Sequence, residues 1–145
     1  MFIATGGRSG YLPGAPGTWG SLVGVCCWLV LRWLPTPWYW TAIAILFLIG
    51  IFAAGAAEKI VDQGDPSLVV VDEIVGQLIT LAGTPLHPPL IGAGFILFRI
   101  FDISKPFPVN WLDGHLHGGA GIMLDDVAAG LFGLLAMTCI RLLFF

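Results

Sequence analysis

Asp72 with Glu73, Arg99 with Asp102 and Lys105, and Asp125 with Asp126 carry most of the chemistry available to this sequence. Asp and Glu oxygens suit a hard divalent cation such as Mg²⁺, which keeps several waters and shares a phosphate oxygen, while Arg and Lys take the remaining phosphate charge. Gathered in one place, these residues would form a phosphate-handling site, able to polarise a phosphoryl group and stabilise its in-line transition state. Each pair alone has a plainer use. Asp72 and Asp125 can serve helix N-termini, and Arg99 with Asp102 at i, i+3 can be an ordinary helix ion pair. Adjacent acids also point about 100° apart on a helix, so one member of each doublet is expected to face a shared centre. Convergence of all the pairs would favour the functional use, and convergence depends on the elements that carry them.

Those elements are apolar. The chain has 145 residues, 57% hydrophobic and 10% charged, with mean hydropathy +0.92, a composition suited to lipid and far from that of soluble globular domains. Nine acids and six Lys or Arg could not cover a water-facing surface of ordinary charge density. The net charge of −3 and the lack of a basic block exclude nucleic acid as a partner. Cys26, Cys27 and Cys139 lie in apolar runs and are expected to be small buried side chains. No basic segment followed by an apolar core and a cleavage site opens the chain, so no removable signal peptide is expected. No composition shift divides residues 1–145, which form one membrane-embedded domain.

Hydropathy places about five main helices. Gly20 to Leu34 forms a first, shorter span, with Arg32 near enough to its end to snorkel. Trp38 to Ala57 forms a second, long enough to cross a bilayer, and Trp38, Tyr39 and Trp40 suit an interfacial anchor. A turn at Gly64, Asp65 and Pro66 leads to a third helix that starts at Asp72 and Glu73 and ends near Gly83. At about 11 residues it rises only about 17 Å. Glu73, Gly76, Gln77 and Thr80 fall at i, i+3, i+4 and i+7, so a polar or small stripe runs along an otherwise apolar helix. Polar groups in lipid need partners and Gly76 admits a close neighbour, which puts this short helix at the centre of the bundle. A fourth helix runs from about Leu90 and ends before Pro106. A fifth starts around Ile122, with Asp125 and Asp126 in its first turns. The expected fold is an all-α integral membrane helical bundle.

Threading these helices alternately through a bilayer brings the charges to one face. Glu58 and Lys59, Asp72 and Glu73, Arg99, Asp102 and Lys105, and Asp125 and Asp126 all lie there, with the Gly-rich entry to the first helix. Arg32, Arg141 and His87 stay at the other. Four of the six Lys and Arg (Arg8, Lys59, Arg99, Lys105) are on the charged side, which by the positive-inside bias is the cytoplasm. His115 and His117 flank a Gly-rich turn and either could be a phosphate donor, a general acid or a metal ligand. The same acids could instead serve a cation carrier or channel component, although transport favours ionisable groups near mid-membrane.

Taken in order, PGAPGTWGS, VVVDEIVGQLITL, FRIFDISKPFPV and HGGAGIMLDDVAAG resemble the bacterial phosphatidylglycerophosphatase A family over most of the chain. The resemblance implies an all-α fold and Mg²⁺-dependent hydrolysis of phosphatidylglycerophosphate to phosphatidylglycerol; with the threading and the positive-inside bias, the expected location is a multi-pass protein of the bacterial inner membrane whose site faces the cytoplasm. Its motifs carry catalytic expectation to Asp72, Glu73, Asp102, His117, Asp125 and Asp126, and phosphate binding to Arg99, Lys105 and Thr18. Asp72, Glu73, Asp125 and Asp126 are the expected metal ligands; His115 lies outside the motif. Either water attacks phosphorus directly, the favoured course, or an Asp does so and forms an acyl phosphate that water then cleaves.

Overall fold

The computed structural model describes residues 1–145 and is all-helical. Helices α1 (Pro16–Leu31), α2 (Thr36–Val61), α3 (Val71–Thr80), α4 (Pro88–Ser104), α5 (Val109–His115) and α6 (Gly118–Phe144) follow a short 3₁₀ turn at Ser9–Tyr11. Sequence reasoning expects about five; the sixth is α5, seven residues whose pattern is too short to register as amphipathic. Helix ends also differ from the expected ones. Pro16 at its first position starts α1 four residues before Gly20, and α2 continues past Ala57 for one more turn. Because α6 begins at Gly118, Asp125 and Asp126 sit in its third turn and not its first.

α3 lies at the centre, as its polar stripe requires. Nine of its ten residues are buried, all but Glu73, and it packs against α6, α1, α2 and α4. Both of its ends are satisfied from outside. The Ala4 carbonyl accepts from the Val70 and Val71 amides at 2.8 and 3.1 Å, and the Tyr39 hydroxyl donates to the Leu78 carbonyl at 2.5 Å. Glycines allow the helices to meet: a Cβ on Gly24 would lie 2.8 Å from the Gln77 Cβ, and one on Gly130 would lie 2.6 Å from the Gly76 carbonyl oxygen. Thr80 then donates within hydrogen-bonding distance of both the Gly76 and Gly130 carbonyls, tying α3 to α6. Association through small residues and threaded hydroxyls is how helices pack where lipid removes the hydrophobic drive between them.

The outer faces are apolar. α2 and α6 are long and apolar enough to cross a membrane, and only 22% of the most apolar stretch of each is buried, unlike the core helix of a soluble protein. Phe52, Ile45, Leu135 and Leu142 stand exposed on them. The protein is membrane-associated. Cys26 and Cys139 are exposed on such faces, contrary to the expectation of burial; an outer face that meets lipid accepts small apolar side chains as readily as the core does.

Candidate functional site

Helix order brings every acid in the chain to one end of the bundle. There a cavity of about 330 Å³ opens between the start of α1, the 65–69 loop, the start of α3, the end of α4 and the third turn of α6. Gly17, Asp65, Asp72, Glu73, Arg99, Asp102, Lys105, Asp125 and Asp126 line it.

One oxygen from each of Asp72, Glu73 and Asp126 lies within 4.8 Å of the others. Asp72 and Asp126 are 6% and 4% exposed, and Asp72 Oδ1, Glu73 Oε2 and Asp126 Oδ2 are buried without a hydrogen-bond partner. Three carboxylates held this close repel one another when ionised and lose their hydration, so the cluster would be stabilised by a cation placed among them. Hard oxygen donors on a converging set fit Mg²⁺. Both members of the Asp72–Glu73 doublet join the cluster, where one was expected. Asp125, expected as a ligand too, lines the same cavity but stays outside this cluster, its Oδ1 accepting from the Asp126 amide at 2.9 Å and its Oδ2 from Lys105 Nζ at 3.3 Å.

The cations are held beside this cluster. Arg99 donates to Asp102, and its Nε is buried without a partner. The plain reading of an i, i+3 pair is therefore true of these two residues, and the pair also fixes the guanidinium at the cavity wall. Lys105 Nζ lies 2.6 Å from Asp113 Oδ1 and is shared with Asp125. Burial alone would lower the Lys105 pKa, but the two carboxylates outweigh it and hold the ammonium above its ordinary value. Burial raises the Asp65 pKa; Lys105 opposes that rise, and Asp113 and Glu58 add to it.

The other expected site residues fall at the edges. Thr18 lies on the far side of Arg99, in an open apolar groove with Phe95, Ile96, Ile100, Ile103 and Ser104. His117 caps α6, is exposed, and borders a smaller cleft with Glu58, Asp65, Asp113 and Asp125. His115 stacks on Trp111 and has its Nδ1 2.8 Å from the Trp111 carbonyl oxygen, outside both cavities.

Three contributors escaped the sequence reading. Gly17 is one: a Cβ there would lie 2.7 Å from Glu73 Oε1 and 2.9 Å from Arg99 Nη1, so the start of α1 presses directly on these two side chains. Asp113, on the unexpected α5, anchors Lys105. Asp65 sits in the GDPS turn at a left-handed backbone position, φ 47°, and borders both the main cavity and the smaller cleft. Gly17 was visible in the GTWGS motif, but the contact it makes was not.

A family model described as Phosphatidylglycerophosphatase A matches residues 2–141. A phosphatidylglycerophosphatase A of Escherichia coli is 38% identical over 129 residues, 88% of this chain and 75% of the relative. One of Haemophilus influenzae is 38% identical over 141 residues, 96% of this chain and 86% of the relative. A Bacteroides thetaiotaomicron protein provisionally named phosphatidylinositol-3-phosphatase is 40% identical over 149 residues, covering 97% and 92%. No solved structure is significantly similar to the chain.

Proposed function

Because the chain belongs to the phosphatidylglycerophosphatase A family, we propose that it is a Mg²⁺-dependent phosphatase that hydrolyses phosphatidylglycerophosphate to phosphatidylglycerol and phosphate. The observation that carries the metal and phosphate parts of this reading is the set of three unpartnered carboxylate oxygens beside Arg99 and Lys105. All three relatives are named for removing phosphate from a glycerophospholipid head group, the chemistry such a cavity suits.

Asp72, Glu73 and Asp126 would hold Mg²⁺, which when bound supplies a Lewis acid for phosphoryl oxygens and eases deprotonation of water. Arg99 binds the terminal phosphate through its guanidinium, oriented by Asp102. Lys105, at the end of the same helix, adds positive charge, positioned by Asp113 and Asp125. Hydrolysis forms a bond between water oxygen and phosphorus and breaks the bond from phosphorus to the glycerol oxygen, which leaves with a proton. Direct attack by water is the favoured course, since the clustered acids are needed as ligands and Asp125 is occupied by Lys105. The apolar groove of Phe95, Ile96, Ile100 and Ile103 meets the cavity at Arg99, so a lipid tail can lie in it while the head group reaches the acids. A cation carrier fits less well: α3 bears no ionisable group below Glu73, and the far end of the bundle has no acid.

Phosphate release from phosphatidylglycerophosphate by purified protein tests the reading directly. Activity is expected with Mg²⁺, and activity undiminished by excess EDTA would remove the metal from it. Arg99→Lys keeps the charge but loses the planar fork, so a rate loss of about tenfold or more is expected with Mg²⁺ affinity unchanged. Weakened Mg²⁺ binding in that variant would reassign Arg99 to organising the carboxylates.

On this reading the site faces the cytoplasm from a multi-pass bundle, with the opposite turns outside. Single cysteines at Ser67, Thr36 and Leu86, all exposed, can be introduced after Cys26, Cys27 and Cys139 are replaced. A membrane-impermeant thiol reagent on intact cells should label Thr36→Cys and Leu86→Cys but not Ser67→Cys. Labelling of Ser67→Cys alone would invert the orientation.

A further inference from the structure

The end of the bundle opposite the acids contains a second cavity, and its chemistry is the reverse of the first. α3 has ten residues and rises only about 15 Å, whereas α1 and α4, with sixteen and seventeen, rise about 24 and 26 Å. The central helix thus stops short, and a recess of about 340 Å³ is left beneath it. Trp28, Arg32, Thr36, Tyr39, Trp40 and Thr84 are among its walls. Tyr39 already donates to Leu78, but Thr84 is 5% exposed with its hydroxyl unpartnered, and the Arg32 Nε is likewise buried without a partner. No acid stands near Arg32; its guanidinium lies over Trp28 and Trp33, 5.1 and 5.3 Å from the ring centres. Arg141 adds positive charge next to this wall, donating to the Ala82 carbonyl at 3.2 Å.

A buried hydroxyl and a guanidinium nitrogen without partners each carry a desolvation cost that an acceptor would relieve. The recess offers donors, positive charge and aromatic walls, with no carboxylate, so it suits an anion that brings apolar surface with it. We infer that this recess binds the phosphodiester head group of an anionic phospholipid, with Arg32 and Thr84 on the phosphate and the exposed Trp40 against the glycerol and first methylenes. A bare phosphate ion would use the same donors but leave the aromatic walls idle. The inference rests on the bilayer placement proposed above only for the source of the lipid. The site itself is present in purified protein.

Tryptophan fluorescence reads the recess, since Trp28 and Trp40 line it. Purified full-length protein in uncharged detergent with EDTA is titrated with dihexanoyl phosphatidylglycerol, dihexanoyl phosphatidylcholine or inorganic phosphate. Saturable change is expected with the phosphatidylglycerol and at least about tenfold weaker binding with the other two. Arg32→Gln and Thr84→Val should weaken binding at least about tenfold, and Thr84→Ser, which keeps the hydroxyl, should restore it. Arg99→Ala should bind as the parent does. Loss of the signal in Arg99→Ala would mean that the lipid was read at the acidic end, and equal binding by Arg32→Gln and Thr84→Val would mean that the recess is not used; either overturns the inference. Equal affinity for inorganic phosphate would make it a phosphate-ion site, and equal affinity for phosphatidylcholine would deny it charge selectivity. Phosphate release from phosphatidylglycerophosphate, measured in parallel, reports separately on the acidic end.

Discussion

Asp126→Asn is expected to lower turnover of phosphatidylglycerophosphate about 100-fold or more while raising the melting temperature of the metal-free protein. The two effects share one cause. Asp72, Glu73 and Asp126 hold carboxylate oxygens within 4.8 Å of one another, with Asp72 and Asp126 almost fully buried, so without a cation the cluster is a repulsive defect in the fold. An isosteric amide removes one charge and with it part of the repulsion, but it also removes a ligand. Asp72→Asn and Glu73→Gln should behave alike, and Mg²⁺, which is expected to stabilise the parent, should not stabilise any of the three. Phosphate release, with thermal unfolding in EDTA and in Mg²⁺, checks both halves. Full activity in all three variants would show that the reaction does not need these acids; a lower melting temperature in EDTA would mean that their charges support the fold without metal. Asp125→Asn is expected to differ, since Asp125 is bound to Lys105 and the Asp126 amide: its loss should loosen the lysine and leave Mg²⁺ stabilisation in place.

Gly17→Ala and Gly17→Val are expected to fold as the parent does and to lose about tenfold and 100-fold of activity. The atoms that a Cβ at Gly17 would meet are the tips of Glu73 and Arg99, which can swing aside at little cost to the fold. Those same tips are the proposed metal and phosphate contacts, so a displacement that stability hardly registers would be felt fully in turnover. Gly130 makes the useful contrast. There a Cβ would meet the Gly76 backbone, which cannot move without parting α3 from α6, so Gly130→Ala should cost about 1–3 kcal/mol of stability. Circular dichroism and thermal unfolding, set beside phosphate release, distinguish the two cases. Gly17→Val with unimpaired turnover would show that the start of α1 has no hold on the site.

The sequence carried a good deal of this arrangement. Apolar runs marked α1, α2, α4 and α6 because a lipid-facing helix needs a long, nearly uncharged stretch, and prolines marked several boundaries because they cannot continue a helical hydrogen-bond ladder. Glu73, Gly76, Gln77 and Thr80 put α3 in the centre, since polar side chains in such a chain must find protein around them. The α5 helix went unseen because seven residues make too few turns for periodicity to emerge, and Asp113, the partner of Lys105, was hidden with it.

Sequence by itself therefore determined the all-helical architecture, the central place of α3 and the end of the bundle at which the acids gather. Alternation of short-linked helices fixes the axial position of each residue, and that position can be counted along the chain. Tertiary structure alone decided that Asp126 and not Asp125 joins Asp72 and Glu73, that Thr18 lies beyond Arg99 while Gly17 presses on it, and that a recess opens where α3 stops. Those outcomes depend on how far each helix is rotated about its axis and how closely it approaches its neighbours. Packing contacts such as Gly76 on Gly130 and Gly24 on Gln77 set both, and they join residues about 50 positions apart that no local pattern connects.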